Sequence, residues 1–145
     1  MYRLARVHAF RATVEDKPGG TAAKLKALAS AGIHLEYIHS ERTEGHPGQG
    51  DLYVVPRQVP HEMDLCKKHG FSEVHEPIIM RFEGDDRAGL GQRVTMEWEK
   101  AGINLHGLMM TAVAGKFVGY AHFDHAEDSN AAAHILTQIG AGDTH

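Results

Sequence analysis

Twelve histidines in a chain of 145 residues raise metal binding as the first chemistry to weigh. His122, Asp124 and His125 in HFDH are the densest grouping. On a strand, His122 and Asp124 share a face and His125 points away, a poor set for an ion that needs convergent ligands. HEMDL, from His61 to Leu65, fails as a zinc-protease helix motif because Leu65 stands where the second histidine must fall. Asp85 and Asp86 are neighbours on a turn, where adjacent carboxylates point apart and cannot share acid–base work. No Gly-x-Ser-x-Gly elbow, phosphate-binding loop or dinucleotide fingerprint is present. The residues point to no catalyst, no metal site and no cofactor.

What remains is a pair of glycine loops. VEDKPGGTAAKLKALASAGIHL, residues 14–35, is echoed by EGDDRAGLGQRVTMEWEKAGINL, residues 83–105. An offset of 70 sets Asp16 on Asp86, Lys17 on Arg87, Gly19 on Gly89, and Ala31-Gly32-Ile33 on Ala101-Gly102-Ile103. Leu35 then meets Leu105, and Gly70 meets Gly140. A register held over so many landmarks marks an internal duplication. Two modules are expected, at 1–73 and 74–145. A strand, an Asp-[Lys/Arg]-x-Gly loop and a helix start put backbone donors and a positive dipole end at one spot, which suits a carboxylate. The same residues also make an ordinary turn.

The elements that must position these loops repeat too. Leu4–Thr13 and Pro77–Phe82 read as strands, being rich in apolar and β-branched residues before a turn. Apolar residues at Ala22, Leu25, Leu28 and Ala29, and at Leu90, Val94, Trp98 and Ala101, follow the helical spacing of three and four. Gly32 and Gly102 stand where a left-handed helix cap belongs. Residues 33–42 with 51–55, and 103–113 with 117–123, read as hairpins. Pro60 opens a second helix, and Asp128 or Ser129 is expected to cap its counterpart at 130–140. FSEVHE, from Phe71, supplies a closing strand for the first module. The second has only residues 141–145 left, so its sheet is expected to keep an open edge. The order is β-α-β-β-α-β: an α+β fold of two ferredoxin-like units, each an antiparallel sheet with helices on one face.

D-K-P-G-G…A-G-I-H-L and D-R-A-G-L…A-G-I-N-L resemble the ACT domain, a small regulatory module with this topology, over essentially the whole chain as two tandem copies. The resemblance implies non-catalytic amino-acid binding where domains pair, between the glycine loop of one and the start of the second strand of the other. Carried over, the ligand-binding residues are Asp16, Gly19, Gly20 and His34 in the first module, and Asp86, Gly89, Leu90 and Asn104 in the second. Pro18 also matches the family's loop, whereas the second module has Ala88 there, and Gly20 replaces a usual Leu or Val. Asn104 is the stronger candidate, because an amide both donates to a carboxylate and accepts from an ammonium.

Composition bounds the rest. With 42% apolar and 23% charged residues the chain has material for a core, and a net charge of −4 without a basic stripe argues against nucleic acid. One cysteine, Cys66, permits no internal disulfide and fits a reducing cytoplasm. No apolar stretch approaches a membrane span. The expectation is a cytoplasmic sensor of a small ligand, an amino acid, working by altered packing with a partner enzyme or as a homodimer paired through the open edge. The alternative is an interaction module that binds no metabolite and serves as a subunit of an enzyme or transporter complex.

Overall fold

The computed structural model describes residues 2–142. Its elements run β1 (Arg3–Val7), β2 (Phe10–Glu15), α1 (Gly20–Ser30), β3 (Leu35–Arg42), β4 (Gln49–Pro56), α2 (Pro60–Lys68) and β5 (Ser72–Glu73). They continue as β6 (Ile78–Asp85), α3 (Leu90–Lys100), β7 (Gly107–Val113), β8 (Lys116–Phe123) and α4 (Ala126–Gly142). Two four-stranded antiparallel sheets result, ordered β3-β4-β2-β5 and β1-β6-β8-β7. The chain is therefore a tandem of ferredoxin-like units.

The segment that reads as one strand from Leu4 to Thr13 is broken at His8-Ala9, and its two pieces serve different sheets. β2 opens the first unit, His8–Val74, whereas β1 belongs with the segment from His75 onward. Arg3 to Val7 pair with Glu83 to Ile79. β1 thus occupies the edge that was expected to stay open, in the place β5 takes in the first unit. It does so more fully, since β5 reaches only Phe10 and Arg11. The homodimer expectation therefore loses the edge on which it rested.

Each core lies between a sheet and its two helices. In the first unit the inward residues Phe10, Ala12 and Val14 of β2 and Leu52 and Val54 of β4 pack with Leu28 of α1 and Cys66 of α2. Ala22 and Ala29, expected on the buried stripe, are exposed, and Leu25 is half-buried, because only one row of this alanine-rich helix meets the sheet. Burial pushes the Cys66 thiol up to about 11, with the Glu62 carboxylate adding to the shift, so the group is inert as a nucleophile. In the second unit Met80, Phe82, Phe117 and Phe123 pack with Leu90, Val94 and Trp98 of α3 and Leu136 of α4. Ala101 is exposed there.

The two cores distribute volume differently. Where Ala12 faces Leu52 in the first sheet, Phe82 faces Gly119 in the second. A Cβ on Gly119 would lie 2.4 Å from the Phe82 ring, so the glycine makes room for the aromatic. α4 starts at Ala126, ahead of Asp128 and Ser129. Ser129 is already inside the helix, donating its N–H to the His125 carbonyl at 3.2 Å, so neither residue is the cap.

The buried Glu62 of α2 ties that helix to the segments that follow α1 and β4. One carboxylate oxygen accepts the His34 N–H at 2.8 Å and the other accepts Arg57 Nε at 2.8 Å. Arg57, then the His34 amide, hold the Glu62 carboxyl below its usual range. A lowered folded value means the stabilisation is full above the unfolded value of about 4.3. It is lost as pH falls from there through the lowered folded value. Glu62→Gln should therefore flatten the acid limb of stability below about pH 5, read from urea midpoints at each pH. An unchanged limb would remove Glu62 from the acid response.

Candidate ligand-binding loops

Both glycine loops have the same backbone. Gly19 and Gly89 precede α1 and α3 with φ of 86° and 82°, the left-handed region where glycine is favoured, and neither helix has a side-chain cap. Asp16 and Asp86 anchor the loops through their N–H groups, donated to the carbonyls of Gly48 at 3.0 Å and Gly115 at 2.9 Å. Gly20 has a steric reason to lack a side chain, because a Cβ there would lie 2.1 Å from the Glu15 carbonyl oxygen. Gly20→Ala should cost about 2 kcal/mol by forcing the loop apart, visible as a lower melting temperature. No change would mean that the loop yields freely.

The side chains separate the two loops. In the first, the Asp16 carboxylate accepts Arg42 Nε at 2.9 Å, and the Thr21 and Ser40 hydroxyls meet at 3.3 Å. With Glu15, Lys17, Glu41 and Gly50 they line a small open concavity of about 220 Å³. Arg42 and Ser40 arrive because β3 runs antiparallel to β4 and ends beside the start of α1. In the second loop the residues matching Thr21 and Ser40 are Gly91 and Met110, and a Cβ on Gly91 would lie 3.7 Å from the Met110 sulfur. Asp86 and Gly89 are exposed, and Leu90 is buried in the core at 4% exposure, so its side chain faces away from solvent.

His34 and Asn104 are exposed at the far ends of α1 and α3 from the glycines. A helix of 11 residues separates each pair, roughly 16 Å along the axis. Within a module the glycine loop and this polar residue are therefore not brought together. The loop instead meets Thr21, Ser40 and Arg42, which the sequence reading did not select. Their one available signal was that a helix followed by a returning strand must bring the strand's last residues back to the loop. Asp124 is engaged by His106 Nδ1 at 2.9 Å, and no group of three metal-ligating side chains converges among the described residues.

Sheet order, helix placement and paired glycine loops together define a tandem ACT-type fold. Solved structures share it over almost the full chain. One is a Bacteroides thetaiotaomicron protein, BT0572, at TM-score 0.74 and 12% identity, covering 94% of this chain and 90% of that one. Another is the regulatory subunit of aspartate kinase from Thermus thermophilus in its ligand-free form, at TM-score 0.60 and 16% identity, covering 92% and 94%. Aspartate kinase from Synechocystis matches at TM-score 0.56 and 20% identity, with 92% of this chain covering 26% of the enzyme. No protein-family model and no curated protein matches the sequence.

Proposed function

We propose that the protein is a non-catalytic regulatory module that binds a free amino acid at the first glycine loop. The observation that carries this reading is the pairing of Asp16 with Arg42 beside two hydroxyls and an uncapped helix start. An amino acid presents a carboxylate and an ammonium a few ångströms apart. The helix start and Arg42 suit the first group, and Asp16 with Glu41 suits the second. An exposed Asp–Arg pair contributes little stability by itself, so opening it for a zwitterion costs little. The regulatory subunit of the Thermus enzyme, similar in fold along nearly its whole length, supports a regulatory role.

Binding would act by population shift: a ligand that prefers one arrangement of the loop biases it, and a partner enzyme or a second copy of the chain reads the difference. In the second module the candidate on the family pattern is Asn104, the counterpart of His34 rather than of the Asp16–Arg42 loop. No helix among the described residues is long and apolar enough to cross a membrane. Calorimetric titration of the full chain against the twenty amino acids tests the reading. Arg42→Ala should weaken binding at least tenfold, while Asn104→Ala reports whether the second module takes part. Failure of all twenty to bind would sink the amino-acid reading and favour an interaction subunit that takes no metabolite.

A further inference from the structure

β3 and β7 are counterparts in the repeat, and each forms an edge of its sheet. Among the described residues each pairs with one strand only, β3 with β4 and β7 with β8. An edge strand leaves a row of backbone N–H and carbonyl groups without strand partners, and proteins guard such rows with charge, proline or a bulge. β3 is guarded. It carries Glu36, Glu41 and Arg42, all exposed, and its register shifts between Leu35 and Tyr37. β7 has none of these devices. Its seven residues, GLMMTAV, include no charge and no proline, and its pairing with β8 runs unbroken from Gly107 to Val113.

The loss of charge is specific to the second module. At an offset of 70, Glu36 becomes His106, Glu41 becomes Thr111 and Arg42 becomes Ala112. The strand also leaves apolar side chains in solvent, with Leu108 38% and Val113 71% exposed. A bare edge of this kind fits another uncharged strand, and the chain supplies one in β7 itself. An antiparallel pairing of two β7 strands about a two-fold axis at Met110 gives every residue of the strand a partner. Leu108 then faces Ala112 of the second copy, Met109 faces Thr111, and Val113 faces Gly107. No charge lies anywhere in the paired span. β3 fails the same operation, because full overlap of its eight residues sets Glu36 against Glu41 twice, and like charges directly opposite destabilise a sheet.

We infer that the protein forms a two-fold dimer through β7. The pairing joins the β1-β6-β8-β7 sheets of two copies into one continuous sheet and takes Leu108 and Val113 partly out of water. It stands apart from the amino-acid reading, which concerns the first glycine loop, so either can fail without the other.

Sedimentation equilibrium of the full chain between about 5 and 300 µM tests the inference, because a reversible dimer responds to concentration by mass action. A monomer–dimer equilibrium is expected. Leu108→Lys combined with Ala112→Lys sets lysine against lysine at two places and should weaken self-association at least about tenfold. Leu108→Lys combined with Ala112→Glu sets opposite charges there and should return it to within about threefold of the unaltered chain. Arg42→Ala, which touches the first glycine loop, should leave it unchanged. Amide hydrogen exchange of the unaltered chain gives a reading that needs no variant: protection along residues 107–113 should rise with concentration, and protection along β3 should not. The inference is overturned if the chain stays monomeric throughout, if the double-lysine variant dimerises as the unaltered chain does, or if the lysine–glutamate variant stays as dissociated as the double-lysine one. Protection of β7 that is independent of concentration overturns it as well.

Discussion

Deleting residues 1–7 is expected to leave residues 8–74 folded and to unfold the second module. The deletion removes β1, whose five residues pair with Ile79 to Glu83, and turns β6 from an interior strand into an edge. It also removes Tyr2 and Leu4, which pack against the second core, and Val7, which is 5% exposed. Lost ladder bonds at about 1 kcal/mol each and lost apolar burial at about 1.5–3 kcal/mol per large side chain add to a loss on the order of 5 kcal/mol or more. That is comparable to the whole stability of a small domain. Amide hydrogen exchange provides the measurement. Protection should vanish along β6 and β8 and persist along β2 and β4. Full protection retained at Met80 and Phe82 would show that the strand is dispensable.

The second large effect is expected at Trp98. Its ring is 1% exposed, stands edge-on to Phe82 at 5.8 Å and to Phe123 at 5.7 Å, and donates Nε1–H to the Ala132 carbonyl at 3.2 Å. Trp98→Ala therefore removes the contact between α3, the sheet and α4 together, and should cost about 3–5 kcal/mol. Trp98→Phe keeps most of the packing and should cost clearly less. The urea midpoint, followed by circular dichroism because the mutation removes the only tryptophan, gives both values. A loss below 1 kcal/mol for the alanine variant would mean the core collapses around the gap.

Much of this architecture was legible in the residues, for a definite reason. Duplication doubles every weak local signal, so loops such as DKPGG and DRAGL, ambiguous singly, fix a common frame when superposed. Leu90, Val94 and Trp98 showed the buried face of α3 by spacing alone. The destination of the first strand was not legible. Nothing at His8-Ala9 marks a break, as neither residue is a turn former, and strand pairing across the length of the chain leaves no local trace. The candidate site was half visible for the same reason. Gly19 and Gly89 declare themselves through their conformation, whereas Ser40 and Arg42 reach the first loop only through the antiparallel return of β3. Leu90 illustrates the opposite error: it matches a binding motif by position yet spends its side chain on the core.

The placement of β1 also sets an order of assembly. Residues 8–74 are in effect an insertion within the second module, whose sheet needs strands from both sides of it. Closing a flexible loop of that length carries an entropic cost that a short link avoids, a difference of roughly 2–3 kcal/mol. The insertion supplies the short link itself. Once folded, it holds the points where the chain enters and leaves side by side, with the Val74 N–H donated to the Ala9 carbonyl at 2.8 Å and Phe10 opposite Glu73. The first module is thus expected to fold first, its completion bringing β1 and β6 into reach of each other. A substitution that weakens the first core will slow the making of the second without touching it.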